Sequence, residues 1–405
     1  MSGALEGIRV VELAHIMAGP VCGLMLADMG ANVVKVERLP GGDGTRGFVP
    51  PDIGGESAAF MMLNRGKRGL ALDFRSPAGL DVVRRLIGGA DVVIENFRVG
   101  TMERMGLGWE ELRSFNPRLI YCQITGFGRT GPLAKQGGFD LIAQGYSGLM
   151  SVTGEGPGRA PVKVGAPVTD VTAGILAAFG VAAALFERER TGRGQRVDTS
   201  LLEAGITQTF WQSAIALASA ESPGALGTAH PLTAPYQSFR TADGWINVGA
   251  SNEGTWLRLT NALSAQELAS DHRFETNADR MGHLVELVEL LTPYFSTRTS
   301  DEWIDILEKT GVPAGPVASV GEMLEHPQTL DREMVIEVKH TKLGSQRSLG
   351  CAVKMSGLAP ISRQMGAPLL GEHTREVLQG AGYDADEIDA LLKNGTALAL
   401  SESAP

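Results

Sequence analysis

The chain of 405 residues is long enough for two domains, and its hydrophobic content of 43% and charged content of 20% are typical of a globular protein. A formal net charge of −10 argues against a protein whose main partner is nucleic acid or an anionic membrane surface. The three cysteines and seven histidines are scattered, which fits neither a disulfide framework nor a metal site.

The amino-terminal third alternates strand-like and helix-like segments, which predicts a Rossmann-like α/β domain with a parallel sheet. In chain order, strands are predicted at Ile8–Leu13, Asn32–Glu37, Gly69–Asp73, Asp91–Glu95 and Leu119–Gln123, with helices at Pro20–Met29 and Pro77–Gly88. Such sheets bind ligands at the carboxyl ends of their strands, so we expect the loops Ala14–Pro20 and Arg38–Arg46 to lie at a site. The sequence contains neither a G-x-G-x-x-G fingerprint nor a Walker A loop.

Basic residues gather after these strands, in a pattern that would suit an anionic ligand held by several separate contacts. They are Arg38, Arg46, Lys67, Arg68, Arg75, Arg98, Arg104 and Lys135. A ring of solvated surface charges would produce the same pattern, and the sequence leaves both interpretations open.

The stretch Val162–Arg190 holds the main candidate for chemistry. A β-like run and a polar break lead to Asp170, and small residues such as Gly174 then recur along an apolar helix. This position predicts an N-cap whose carboxylate faces free backbone N–H groups and the positive end of the helix dipole, which would keep it ionised. An ionised carboxylate can act as a nucleophile, although capping alone also explains the residue.

The later chain predicts a second domain. After a glycine hinge into a helix at Gly137–Met150, the remaining predicted elements are a strand at Gly194–Ser200, a helix at Leu201–Ser219, a hairpin of Tyr236–Arg240 and Trp245–Gly249, and helices at Glu253–Ser264, Met281–Ser296 and Ser300–Lys309. We therefore expect a large domain over residues 1–219, a linker over 220–227, a small α+β domain over 228–316 and a return segment over 317–405. The Ala-rich tail Ala397–Pro405 is expected to fray.

A series of segments occurs in a characteristic order along nearly the whole chain. They are VVELAHIMAGPVCGLMLADMGANVVKVER, DVVIENFRVGTMERMGLGWEEL, APVTDVTAG and, at Ala367–Leu378, APLLGEHTREVL. Together they resemble the class III CoA-transferases, the family of formyl-CoA transferase and carnitine CoA-transferase.

The resemblance implies that Asp170 is the nucleophile and that the chain forms an interlocked homodimer, each chain threading through the other. It also implies contacts with CoA from His15, Met17, Ala18, Arg38, Leu72, Asp73, Phe74, Arg75, Asn96, Phe97, Arg98, Arg104, Lys135, Gly138 and Phe139. In the implied reaction, the Asp170 carboxylate attacks a thioester, and CoA passes to an acceptor acid through an acyl anhydride and an aspartyl-CoA thioester. Acyl-CoA is then a substrate, and no metal, ATP or permanently bound cofactor is required.

Two alternatives on the same fold stay open. The 2-methylacyl-CoA racemases use a His–Asp arrangement, and Phe139, where their histidine would stand, cannot accept a proton. Asp140 is either a second carboxylate that aids transfer or a helix cap. A non-catalytic CoA-binding protein is the other alternative, against which the APVTD context of Asp170 argues.

The predicted acceptor is a dicarboxylate. Formyl-CoA transferases carry glutamine at the position of Met17 and a tetraglycine loop, whereas this chain reads VGASNE at the comparable place. The segments LGTAHPLTAPYQSF and VGASNE are more similar to the succinate–hydroxymethylglutarate CoA-transferase branch, so we do not expect oxalate or formate as partners. A second anion contact could come from Arg46, His230 or Asn252, although a histidine beside Pro231 also suits a structural role.

The ends and the apolar segments of the chain predict its location. The amino terminus lacks the pattern of a signal peptide, and charges or glycines interrupt every apolar run long enough to span a membrane. We therefore expect a cytoplasmic protein without a nucleic-acid or membrane partner.

Overall fold

The computed structural model describes residues 3–357 and 365–400, which form two compact units. The large unit comprises residues 3–147, 164–208, 327–357 and 365–400, and the small unit comprises residues 148–163 and 209–326. By packing, the small unit therefore begins earlier than residue 228 and also includes residues 148–163. The domain division at residues 219, 227 and 316 stays a prediction.

Strands and helices alternate along the large unit as the sequence predicts. Over both units, the strands of the described residues are β1 (Arg9–Glu12), β2 (Asn32–Arg38), β3 (Asp52–Ile53), β4 (Glu56–Ser57), β5 (Arg68–Leu72), β6 (Val92–Glu95), β7 (Ile120–Thr125), β8 (Arg196–Ser200), β9 (Tyr236–Arg240), β10 (Trp245–Gly249), β11 (Ala314–Pro316), β12 (Val335–His340), β13 (Gly344–Leu349) and β14 (Ala397–Leu398). The helices are α1 (Ala18–Asp28), α2 (Ala58–Asn64), α3 (Pro77–Gly88), α4 (Thr101–Arg104), α5 (Trp109–Phe115), α6 (Asp140–Tyr146), α7 (Leu149–Val152), α8 (Val168–Thr191), α9 (Leu201–Thr207), α10 (Phe210–Ser219), α11 (Glu253–Ala262), α12 (Gln266–Ala269), α13 (Asn277–Gly282), α14 (Leu284–Phe295), α15 (Ser300–Thr310), α16 (Val320–Glu325), α17 (Pro327–Asp331), α18 (Thr374–Gly380) and α19 (Ala385–Lys393).

A seven-stranded sheet forms the centre of the large unit, in the order β14-β5-β2-β1-β6-β7-β8. All its pairings are parallel except that of β14 with β5. Val10 in β1 pairs with Val33 on one side and Val92 on the other, so the direction of chain progression reverses at β1. Ligand crevices open at such a reversal, beyond the carboxyl ends of the strands. The predicted α/β class with a parallel central sheet is confirmed.

Both faces of the sheet are covered by helices, which explains the valine-rich strands. One apolar core lies between the sheet and α1 and α8, and includes Cys22 and Val181. The other lies beneath α3, α5, α18 and α19, and includes Val83 and Leu391. The small unit has its own core around β9, β10 and the helices α11 to α15, in which Trp256 and Phe295 are buried.

Small residues allow α8 to lie directly against the beginning of α1. A Cβ atom added at Gly174 would lie 2.7 Å from the carbonyl oxygen of Ala18 and 2.7 Å from the Cβ atom of Val21. A Cβ atom at Gly19 would lie 2.1 Å from that of Ala14. Glycine is therefore needed where these helices meet the loop that follows β1, Ala14–Pro20, here called the first loop.

Helix α8 is the segment that bears on the expectation about apolar runs. Its 24 residues are long and apolar enough to cross a membrane by length and composition, although Asp170, Gly174 and Gly180 interrupt the run. In the large unit, Ala173, Ala177 and Val181 of this helix are buried in the core beside the sheet.

Three further predictions about elements differ from the structure. The predicted helix Leu201–Ser219 is divided into α9 and α10, and Met281–Ser296 is divided at His283, whose Nδ1 lies 2.9 Å from the carbonyl oxygen of Asp279. The tail Ala397–Pro405 does not fray from its beginning, because Ala397 pairs with Leu72 in the central sheet. Residues 401–405 of this predicted tail lie outside the described residues.

Replacing Gly174 with alanine tests the α1–α8 contact. We expect Gly174→Ala to lower the free energy of unfolding by about 1 to 3 kcal/mol, because the added methyl group has no space against Ala18 and Val21. Urea denaturation measures the effect. Gly380→Ala, in α18 of the same unit, is the matched control, since a Cβ atom there meets nothing within 4 Å. Equal effects of the two substitutions would contradict the assigned contact.

Candidate active site

A cavity of about 680 Å³ opens at the carboxyl ends of β1, β2, β5 and β6 in the large unit. This size is within the range of pockets for organic ligands. Among the residues predicted to contact CoA, its walls contain His15, Arg38, Phe74, Arg75, Phe97 and Arg104. Strands that are adjacent in the sheet bring these residues together, although they are far apart in the sequence.

The cavity wall combines cations with aromatic rings. The side chain of Arg38 makes no hydrogen bond or ion pair to any residue in the described ranges, whereas Arg75 pairs with Asp73 at 3.1 Å. The rings of His15 and Phe97 lie 5.8 Å apart, centroid to centroid. A ligand with anionic groups and a flat apolar part would match this wall.

The other predicted CoA contacts are not among the lining residues of this cavity. Met17 precedes α1 and Ala18 is its first residue, while Leu72 is fully buried at the end of β5. Asn96 holds His15 through two hydrogen bonds, accepting from the backbone N–H at 2.9 Å and donating to the carbonyl oxygen at 2.8 Å.

Two short segments cross near the end of β7. A Cβ atom at Gly138 would lie 2.5 Å from the Cα atom of Gly126, so glycine permits a close backbone approach here. Arg98 lies against Gly137, and both Lys135 and Phe139 are exposed.

The structure places Asp170 differently from the sequence prediction. Helix α8 begins at Val168 after Pro167, so Asp170 lies in the first turn and is not the N-cap. The β-like run before it is not a strand. Instead, the Oδ1 atom of Asp140 accepts hydrogen bonds from the backbone N–H of Thr169 at 3.0 Å and from its hydroxyl at 2.8 Å. Asp140 therefore caps α8 and not α6, the helix that it begins, and its role as a second carboxylate stays a prediction.

The Asp170 carboxylate is half-buried and has no hydrogen-bond or ion-pair partner anywhere in residues 3–357 and 365–400. Burial, and after it the negative charge of Asp140, raises the pKa of Asp170 to about 7. The expectation that the helix terminus keeps it ionised was therefore wrong, because the N–H of Thr169 already donates to Asp140. Near neutral pH this carboxyl group can exist in either form, which suits a nucleophile or a proton acceptor.

Asp170 lies on the same helix end that contacts the first loop. Gly174, one turn further along α8, packs against Ala18. Thr172 accepts a hydrogen bond from the side chain of Gln208 at 3.0 Å. The large unit thus contains both the unpaired carboxyl group and the loop that borders the cavity.

Arg46, a predicted second anion contact, pairs with other residues of the large unit. Its guanidinium donates to both carboxylate oxygens of Glu37, at 2.7 and 2.8 Å, and to the carbonyl oxygen of Pro368 at 2.9 Å. It also lies 3.6 Å from the ring centroid of Phe60. Two of the three guanidinium nitrogens, Nε and Nη2, are therefore paired within the fold, and the role of Arg46 as a second anion contact stays a prediction.

His230 and Asn252 lie in the small unit, where both have structural contacts. The Nδ1 atom of His230 accepts from the backbone N–H of Leu232 at 3.1 Å, and its ring stacks on Tyr236 with centroids 5.2 Å apart. Asn252 caps α11 through the N–H of Thr255 at 3.0 Å. Their roles toward a substrate stay predictions.

Sequence reasoning missed a group of buried charges beneath the first loop. Glu12, Lys35 and Lys67 are fully buried, and Asp43 is 5% exposed. The sequence groups Lys67 with the cations that would suit an anionic ligand, but its Nζ lies 2.8 Å from Glu12 and is fully buried. A charged residue within a valine-rich strand, as in VVE and VVKVE, is the signal that could have found this group.

Within the described part of the chain, no group of His, Cys, Asp or Glu side chains could hold a metal ion. Cys22, Cys122 and Cys351 are free thiols and buried.

Comparison with known proteins adds the family context. The model of CoA-transferase family III matches residues 5–374. A succinate–glutarate CoA-transferase of Agrobacterium fabrum is 41% identical over 92% of this chain and 94% of its own length. A succinyl-CoA:mesaconate CoA-transferase of Haloarcula hispanica is 40% identical over 94% of this chain and 97% of its own length. A crystal structure of a CAIB/BAIF family protein from Brucella suis has a TM-score of 0.83 and 39% identity, covering 94% of this chain and all of its own.

The raised pKa of Asp170 predicts that its charge destabilises the fold. Because the folded pKa of about 7 lies above the unfolded value of about 3.9, this cost appears as pH rises from 4 to 7 and is complete above 7. We expect Asp170→Asn to raise the melting temperature at pH 8 more than at pH 5, where the wild-type carboxyl group is already protonated. Scanning calorimetry at both pH values measures this difference. An equal shift at the two pH values would contradict the raised pKa.

Proposed function

Because the chain belongs to CoA-transferase family III and is a CoA-transferase, we propose that it moves CoA from succinyl-CoA or another short acyl-CoA to a dicarboxylate through Asp170. The observation that carries this proposal is the half-buried Asp170 carboxyl group, which makes no hydrogen bond to the described residues. A group with free lone pairs beside the loop of a large cavity is suited to attack a thioester.

The reaction begins with attack of the charged Asp170 on the thioester carbonyl. The C–S bond breaks, CoA leaves as a thiolate, and an anhydride joins the aspartyl and acyl groups. The thiolate then attacks the aspartyl carbonyl, which frees the donor acid and forms an aspartyl-CoA thioester. The acceptor carboxylate reverses these two steps, so that CoA leaves on the acceptor and the Asp170 carboxylate is restored. Each step replaces one activated acyl bond by another.

The first turn of α1 supplies donors for the developing oxyanion. Met17 provides no side-chain cap for this helix, and the N–H groups of Ala18 and Gly19 donate to no acceptor in the described ranges. Free N–H groups at a helix terminus stabilise negative charge. The contact of Gly174 with Ala18 supports a position of Asp170 near these groups.

The cavity is the site proposed for the nucleotide end of CoA. Arg38, Arg75 and Arg104 offer cations to phosphate groups, and Phe97 offers a flat apolar surface. The named relatives are a succinate–glutarate CoA-transferase and a succinyl-CoA:mesaconate CoA-transferase. These names support a dicarboxylate acceptor for this chain and succinyl-CoA as donor.

We also propose the interlocked homodimer and a cytoplasmic location. On α8, Ile175, Phe179 and Phe186 are 43%, 73% and 69% exposed. In the small unit, α10 has no buried residue, and Trp211 and Leu217 are 59% and 89% exposed. A second copy of the chain would cover such apolar helix faces.

The direct test is a covalent adduct on Asp170. Incubation with succinyl-CoA is expected to give a hydroxylamine-sensitive adduct, located at Asp170 by peptide mass spectrometry, and glutarate should then become glutaryl-CoA. Asp170→Ala should form no adduct and lose activity by at least about 10⁴-fold, because the nucleophile is absent. Full turnover by this variant would refute the proposal. Exchange of deuterium into C2 of a 2-methylacyl-CoA would indicate a racemase, and no reaction at all a CoA-binding protein.

The rate should depend on the ionisation of Asp170. Only its charged form attacks, so kcat/KM is expected to fall as pH decreases below about 7. Asp140→Asn removes the neighbouring negative charge but retains an oxygen for the N–H of Thr169. This variant should therefore move the acid limb to lower pH, by about one unit. Asp81→Asn, an exposed change on α3, should leave the limb in place. An unshifted limb for Asp140→Asn would contradict the assignment.

A further inference from the structure

The first loop of the large unit contains a strained residue. Ile16 has a φ of 67°, in the left-handed region that a β-branched residue rarely adopts. Its side chain lines the cavity, and the loop leads into the first turn of α1. Strain of this kind persists only where the surrounding structure enforces it.

The enforcing structure is a group of buried charges, here called the loop anchor: Glu12, Lys35, Asp43 and Lys67. Lys35 lies 3.0 Å from Glu12 and 2.8 Å from Asp43, and Lys67 lies 2.8 Å from the other carboxylate oxygen of Glu12. The four charges sum to zero. Burial alone would lower the pKa of Lys35 and raise that of Asp43. The negative charges of Glu12 and then Asp43 instead raise the pKa of Lys35, and the positive charge of Lys35 lowers that of Asp43.

The loop anchor binds the backbone of the loop at successive points. Lys35 donates to the carbonyl oxygen of Ala14 at 3.1 Å, and Lys67 donates to that of Pro20 at 2.8 Å. Between them, the Asp43 carboxylate accepts from the N–H of Ile16 at 3.1 and 3.2 Å. The loop is thus fixed before, within and after its strained residue.

The packing around the loop anchor leaves it little freedom. A Cβ atom at Gly23 of α1 would lie 1.9 Å from a carboxylate oxygen of Glu12. Lys67 also donates to the side-chain oxygen of Asn64 at 2.9 Å, so its ammonium group has defined partners. Burial of such an ionic group is weak evidence that it stabilises the fold, since replacing buried ion pairs by apolar residues of similar size often leaves stability unchanged or increases it.

We propose that the loop anchor positions the first loop for CoA transfer, with Lys67 as a positioning residue that acts through the carbonyl group of Pro20. This inference rests on the proposed function, because it assigns the N–H groups of Ala18 and Gly19 to the reacting oxyanion. Lys67 is buried and does not line the cavity, so its effect passes through the loop and not through contact with CoA. Displacement of these N–H groups should affect the chemical steps more than the binding of the nucleotide.

The test uses a charge-balanced double variant, Glu12→Gln with Lys67→Met. It removes one charge of each sign, leaves Lys35 paired with Asp43, and deletes the donor to Pro20. The matched control is Asp28→Asn with Arg65→Met, which removes another buried ion pair at the far end of α1. Both double variants avoid an isolated buried charge.

For the Glu12/Lys67 variant we expect kcat for transfer from succinyl-CoA to glutarate to fall by about 100-fold, with KM for succinyl-CoA changed by less than about threefold. Hydrogen exchange of a peptide covering residues 13–21 should be faster in this variant. At a matched loss of melting temperature, the Asp28/Arg65 variant should keep kcat and the exchange of that peptide close to the wild-type values.

Equal losses of kcat in the two double variants, or unchanged exchange of the loop peptide in the first, would overturn the positioning role. Failure of the proposed function gives a different result, since the wild-type protein itself would then form no glutaryl-CoA. In that case faster loop exchange in the Glu12/Lys67 variant would still support the attachment of the loop to the loop anchor.

Discussion

The close packing of α8 on the beginning of α1 is the contact on which the site depends. Gly174 makes it possible, because any side chain there would meet the backbone of Ala18. Asp170 stands one turn earlier on the same helix, so the distance between the two helices also fixes the carboxyl group relative to the first loop. The small residues along α8 therefore have a functional consequence as well as a packing role.

Two carboxylates near the beginning of α8 have different roles because they have different partners. Asp140 receives the N–H and hydroxyl groups of Thr169 and the amide of Gln144. Asp170 receives no hydrogen bond from the described residues and is partly removed from water, so its charged form is costly and reactive. By capping the helix, Asp140 leaves Asp170 without the partners that would have stabilised its charge. Destabilisation of a charged group is a common feature of catalytic residues.

The cations near the strand ends fall into two groups, those without an ion pair to the described residues and those paired with a carboxylate inside the fold. Arg38 faces the cavity without an ion pair to the described residues, and its charge is available to an anionic ligand. Lys67 and Arg46 come from the same run of basic residues, yet their charges are neutralised by Glu12 and Glu37 inside the fold. One set can attract CoA, and the other maintains the shape of the loops that CoA would contact.

The sequence by itself determined the α/β class, the order of the central strands along the chain, the helix at Pro77–Gly88 and the family, because periodicity and segment order are local properties. It also singled out Asp170. Only the tertiary structure decided that Asp140 is the cap, that Arg46 is already paired and that Lys67 is buried. The partners in these contacts are 9 to 55 positions apart along the chain, and Arg46 and Pro368 are 322 positions apart. No local sequence pattern specifies which partner a charged side chain will meet across such separations.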